Sequence, residues 1–225
     1  MRYFIILFII LFCITSYSQA GCIDCHGSVI KVNELLIKNA EKYLYVREAT
    51  NNNDAPEIYT WNKYAKSFSK FDPYCTSFAV YNFHEVFDLY SLKNPVPKTA
   101  GVAALAQYAS NHPFDFKVIS TKKINWGVDN PQIGDIASFK HGTSTFTGWD
   151  YKGHTELVRS SDSKKNVFTI GANTKAGNGG DQSGTKKGDF TGGQEGVYYR
   201  TRTMGLSGNF PIMYFIRLQK RIYTL

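Results

Sequence analysis

An α+β fold is predicted for this chain, with N-terminal helices packed on an antiparallel sheet. Three observations lead there. Apolar residues recur at helical spacing only as far as about residue 109, β-branched and aromatic runs occupy the segments from Phe116 to Leu218, and Gly/Asn clusters separate those runs. Helices grouped ahead of strands indicate a sheet covered by helices on one face, not alternating βαβ units. No internal repeat or interdomain linker is visible.

Lys31 to Tyr45 carries Val32, Leu35, Leu36, Ala40 and Leu44 on one side and is expected to be helical. Asn51-Asn52-Asn53-Asp54-Ala55-Pro56 is turn chemistry and ends it. A second short helix is expected from Glu57 to Phe68, through Ile58, Trp61, Tyr64 and Ala65. Phe71-Asp72-Pro73 breaks the chain again, just before a third helix from Cys75 to about Tyr90. Val102 to Ala109 is a fourth, stopped before Asn111-His112-Pro113. Strands follow at Phe116–Ile119, Ile136–Phe139, Thr155–Val158, Val167–Ile170, Gly196–Arg202 and Ile212–Leu218. Gly171 to Gly193 is the richest in Gly and Asn. It lacks the Gly-Lys-Ser/Thr ending and following helix of a phosphate loop, so it reads as a long connection or a mobile loop beside a site.

Met1-Arg2, the apolar stretch from Tyr3 to Ile14 and Ser18-Gln19-Ala20 form a secretory signal pattern, too short and wrongly flanked for a membrane span. Residues 1–20 are therefore expected to be a signal peptide and residues 21–225 one domain. Export argues against nucleic acid as the partner of a chain with net charge +8; an anionic cell wall or membrane surface fits better. A secreted or periplasmic protein is expected, monomeric and with no stable membrane span. Ala20-Gly21-Cys22 echoes a lipoprotein cleavage site, but Gln19 is a poor residue for that signal. Of four cysteines, Cys13 leaves with the signal, and Cys22 and Cys25 suit a disulfide in an oxidising compartment. Cys22-Ile23-Asp24-Cys25-His26 also matches a c-type haem attachment pattern, but too little chain precedes it to wrap a porphyrin. No cofactor and no metal are expected.

Cys75 is the odd thiol. It opens an apolar helix through Phe78, Ala79, Phe83, Val86 and Phe87, where unsatisfied N–H groups stabilise a thiolate and, later, an oxyanion. The ordinary alternative is a small buried hydrophobe. Five histidines compete for the role of base. His26 adjoins the cleavage site, His84 lies nine residues on and across the helix from Cys75, and His112 precedes a proline in a loop. His141 is a rival, but His154 is favoured, because Gly153 admits a close approach and Thr155-Glu156-Leu157-Val158 continues as a strand. A third group should orient the imidazole. Asn173 at the end of the next strand, Glu156 on the face of His154, and Asp135 are the choices, with a turn-forming role the ordinary alternative for Asn173.

Several motifs in order carry a resemblance: Ala40-x-x-Tyr43-Leu44-x-Val46-x-Glu48, Asn51-Asn52-Asn53-x-x-Pro56-Glu57-Ile58, Pro73-Tyr74-Cys75-x-x-Phe78, Gly134-Asp135-Ile136, Gly153-His154, Thr169-Ile170-x-x-Asn173-Thr174 and Gly196-Val197-Tyr198-x-Arg200. From about Ile30 to Arg202 the chain resembles CHAP-type peptidoglycan hydrolases, including phage-endolysin-like members. The resemblance implies a papain-like fold, peptidoglycan as partner, hydrolysis of its amide bonds, Cys75 as nucleophile and His154 as base. The family often carries Glu two residues before the Asn, where this chain has Gly171. That departure leaves Asn173 as the expected orienting residue. It also raises the alternative of a non-catalytic wall-binding protein on the same fold.

Overall fold

The computed structural model describes residues 25–50, 52–140, 153–175, 195–204 and 211–219, with the side chains of 25–31 and 175 left out. The expected signal, Cys22, His141 and the Gly-rich stretch after Lys175 lie outside the described residues. Among the described residues four helices precede six strands: α1 Cys25–Glu41, α2 Pro56–Tyr64, α3 Cys75–Leu89, α4 Val102–Asn111, β1 Phe116–Ser120, β2 Ile136–Lys140, β3 Gly153–Ser161, β4 Asn166–Lys175, β5 Glu195–Thr203 and β6 Ile212–Leu218. The strands form one antiparallel sheet in the order β1-β6-β2-β3-β4-β5. The fold is α+β, as expected. Among the described residues no helix is long and apolar enough to cross a membrane.

Boundaries depart from expectation where the ladder or a cap decides them. Helix α2 stops at Tyr64 rather than Phe68, because Lys66 adopts φ 57° and turns the chain. Strand β3 runs past its apolar segment because backbone pairing continues through Ser160↔Phe168 and Ser161↔Val167, and β4 because it pairs with β5 as far as Thr174↔Gly196 and Lys175↔Glu195. Hydrogen bonding, unlike burial, does not require an apolar side chain.

Helix α3 is the hub. It contacts α1 and α2 on one side and β3 and β4 on the other. Its Phe78, Phe83, Val86 and Phe87 are buried with Leu36, Ile58, Trp61 and Tyr74 of the helical layer. The sheet adds Ile136, Leu157, Ile170, Val197 and Ile216 to that core. Trp61, fully buried, meets Tyr43, Tyr74 and Phe78 at centroid distances of 5.3, 5.8 and 5.0 Å. This packing fixes the start of α3 against the sheet. The other face of the sheet buries a second cluster, with Ala137, Phe139, Val158, Val167 and Phe215. Leu157 therefore faces the helices, and the two-residue period puts His154, Glu156 and Val158 on the opposite side of β3.

Candidate active site

The nucleophile candidate begins the hub helix. N-cap Tyr74 makes no side-chain cap bond, so its side chain does not occupy the first-turn N–H donors, Cys75's own among them. Cys75 is buried, and its side chain clusters with Val102 and Ala103 at the start of α4. His154 is the second residue of β3, at the rim of the sheet, where its imidazole meets the thiol from the helical layer.

A clasp beside this pair holds the layers in register. Thr76 and Thr155, each the next residue after a site residue, join hydroxyls at 2.9 Å, and both are fully buried. Thr76 Oγ1 also lies 3.9 Å from Cys75 Sγ, and the Thr155 backbone N–H is directed at the same sulfur. The thiol is thereby surrounded by groups that favour its anion.

The imidazole is backed by a carboxylate. His154 Nε2 stands 3.2 Å from Glu156 Oε1, which leaves Nδ1 as the nitrogen that can serve the thiol. Glu156 is itself fully held. Thr169 donates its hydroxyl to Oε2 at 2.6 Å, Arg202 Nε donates to Oε2 at 3.1 Å, and Arg202 Nη2 donates to Oε1. Arg202 lies over the Phe139 ring, which also contacts the His154 ring. The order Cys75, His154, Glu156, Arg202 alternates potential charges from the helix start to β5.

These neighbours decide the protonation states. Burial pushes the Cys75 thiol up, but the charge and hydrogen bond of His154, the Thr155 N–H and the Thr76 hydroxyl bring it below its ordinary value. Burial pulls His154 down, yet the Cys75 thiolate and the Glu156 carboxylate raise it to about 9. Burial opposes the charge of Glu156, while the His154 hydrogen bond and the Arg202 ion pair hold it well below the usual carboxylate range. Both shifts favour the thiolate–imidazolium form of the pair, the reactive form of a cysteine nucleophile.

Asn173 does not fill the role expected of it. It sits in the bulge of β4 between Gly171 and Thr174, in the left-handed region at φ 56°, and its buried Oδ1 has no hydrogen-bond partner. Its backbone N–H lies against Tyr74 Oη, one residue before the nucleophile. Asparagine tolerates that backbone conformation better than most residues, so the turn-forming reading accounts for it. The third group is Glu156. Asp135, the other choice, is spent on Arg217, which reaches its Oδ2 at 2.8 Å.

Gly171 is explained by the same contacts. It pairs directly across from Glu156, and a Cβ on residue 171 would lie 2.6 Å from Glu156 Cγ. The space over Gly171 is filled by the acid that serves His154. Two other histidines are engaged elsewhere: His84 stacks on Tyr64 at 4.3 Å, and His112 Nδ1 meets the Tyr108 carbonyl at 2.7 Å. Sequence reasoning did not find Thr76, Thr155, Thr169 or Arg202, because each acts across strands or layers whose pairing has no local signature. An open cleft of about 730 Å³ lined by Thr50, Asn53, Asp54, Tyr59 and Phe71 adjoins the loop that leads into Cys75.

No family model matches the chain, and no curated protein matches it.

Proposed function

We propose that the protein is an exported cysteine hydrolase of the CHAP type, papain-like in fold, that cleaves amide bonds in peptidoglycan. One observation carries the reading: a buried thiol at a helix start faces a buried imidazole that lowers its pKa and has a carboxylate behind it. The Cys75 thiolate attacks the amide carbonyl carbon. Backbone N–H groups at the start of α3 stabilise the oxyanion, and the His154 imidazolium gives its proton to the departing amine. His154 then takes a proton from water as its oxygen attacks the thioester carbonyl, which releases the acyl group as a carboxylic acid and restores the thiolate–imidazolium pair. Glu156 keeps the ring oriented and its charged form favoured throughout. The net charge of +8 suits an anionic wall.

The departure that motivates a non-catalytic wall-binding protein is the glycine at 171. It loses weight here, since Glu156 of β3, which fills the space over Gly171, brings a carboxylate to the imidazole. Digestion of purified peptidoglycan by the mature protein, Cys75→Ala and His154→Ala, followed by mass spectrometry of released fragments, tests the reading. The intact protein should release fragments with new amino and carboxyl ends, and both variants should release almost none. Sedimentation with the wall but no release by the intact protein would establish the non-catalytic alternative. Equal release by Cys75→Ala would remove Cys75 as nucleophile.

A further inference from the structure

The carboxylate behind His154 occupies a site bounded by three strands rather than one. Its oxygens are fixed by His154 on β3, Thr169 on β4 and Arg202 on β5. Residue 171 faces that site as closely as residue 156 does. A Cβ built on Gly171 would stand 3.1 Å from Glu156 Oε1 and 3.1 Å from its Cδ. A glutamate's own oxygens lie roughly 3–4 Å from its Cβ, across bonds of about 1.2–1.5 Å. An acid attached at 171 would therefore set an oxygen where Oε1 now lies, provided residue 156 were cut back.

We propose that positions 156 and 171 are interchangeable anchor points for a single positioning carboxylate, with Gly171 as the space that lets β3 supply it in this chain. The inference rests on the pairing of Cys75 with His154 as the reacting groups. It makes Glu156 a positioning residue, since it touches the imidazole and not the thiol. It also explains why the site holds one acid and not two. With both present, the second side chain would begin 2.6 Å from Glu156 Cγ, and two carboxylates would compete for the Arg202 guanidinium.

The test uses the mature protein with Glu156→Ala, Gly171→Glu, the two combined, and Gly171→Ala. Two readouts are taken: the pH profile of Cys75 alkylation by iodoacetamide, and the pH profile of peptidoglycan digestion. Glu156→Ala should move the apparent thiol pKa upward and lower turnover by on the order of 10²–10³-fold, within the range for general acid–base groups. Gly171→Glu alone should also lose activity. The combined variant should recover at least tenfold over Glu156→Ala, with its alkylation profile returning toward that of the unaltered protein. Gly171→Ala, which adds only the crowding carbon, should shift the profile in the direction of Glu156→Ala. This arm still decides the matter if the combined variant fails to fold, as judged by circular dichroism.

No recovery by a folded combined variant would overturn the inference. So would an unaltered alkylation profile in Gly171→Ala. The alkylation profile needs no substrate. A protein whose profiles shift as stated but which digests no peptidoglycan would leave this inference standing and defeat the proposed reaction.

Discussion

Replacing Thr155 by valine probes how the two halves of the site are held together. Valine keeps the volume and the branching of threonine, so no cavity forms, and only the hydroxyl is lost. Thr76 Oγ1 then keeps only the sulfur at 3.9 Å, in a place that is fully buried. Leaving a buried hydroxyl without a good partner costs about 1–3 kcal/mol, whereas a matched apolar pair is nearly neutral. Urea unfolding should therefore show Thr155→Val and Thr76→Val each destabilised by about 1–3 kcal/mol. Their combination should fall short of the sum by about 1 kcal/mol or more, the signature of residues in contact. In thermal unfolding each single variant should lose roughly 2–4 °C per kcal/mol for a domain of this size. Function should suffer beyond stability, because the bond ties the residue after Cys75 to the residue after His154. A small misplacement of reacting groups costs up to about 10²-fold, so the single variants should lose roughly ten- to a hundredfold in turnover at temperatures where they are fully folded. Strictly additive stabilities together with unaltered turnover would refute the clasp.

The remaining expectations concern charge and backbone. Digestion should have an alkaline limb near pH 9, where His154, raised to about 9, loses the proton it gives to the leaving amine. The same raised value means that the stability from His154 is complete below its ordinary pKa near 6.5 and is lost as pH rises through about 9; urea midpoints measured against pH will show this. Glu156, depressed, contributes stability above the ordinary carboxylate pKa that disappears as the medium is acidified through its folded value. Asn173→Ala should cost about 1–2 kcal/mol through its left-handed backbone while leaving the pH profile of alkylation in place, and Asn173→Gly should be milder. Arg217→Ala, which strands the buried Asp135 carboxylate, should destabilise by about 3–5 kcal/mol without moving the Cys75 profile, since it lies outside the site.

What the sequence made legible was whatever depends on local period. The apolar spacing of α3 and the apolar and aromatic run of β6 were readable, and β6 spans the expected Ile212–Leu218. Cys75 and His154 could be paired because each has its own local mark, a helix start for one and a strand start after glycine for the other. The choice between Asn173, Glu156 and Asp135 had no such mark. Glu156 shares a face with His154 by the two-residue period, but its hold on the imidazole depends on Gly171, Thr169 and Arg202 arriving from two other strands. Asp135 also offered a carboxylate beside a strand, and only the approach of Arg217 from β6 removes it from contention. Such choices are set by register between strands distant in sequence, and one residue of slip would reverse them.

The central claim is that the Cys75 sulfur attacks a wall amide and carries the acyl group. Acid-quenched mixtures of the mature protein and purified peptidoglycan, digested and mapped by mass spectrometry, address it directly. The expected result is a thioester-linked peptide fragment on Cys75, accumulating in the intact protein and absent from Cys75→Ala. Release of amide-cleaved fragments with no acyl group on Cys75, and at the same rate from Cys75→Ala, would contradict the account.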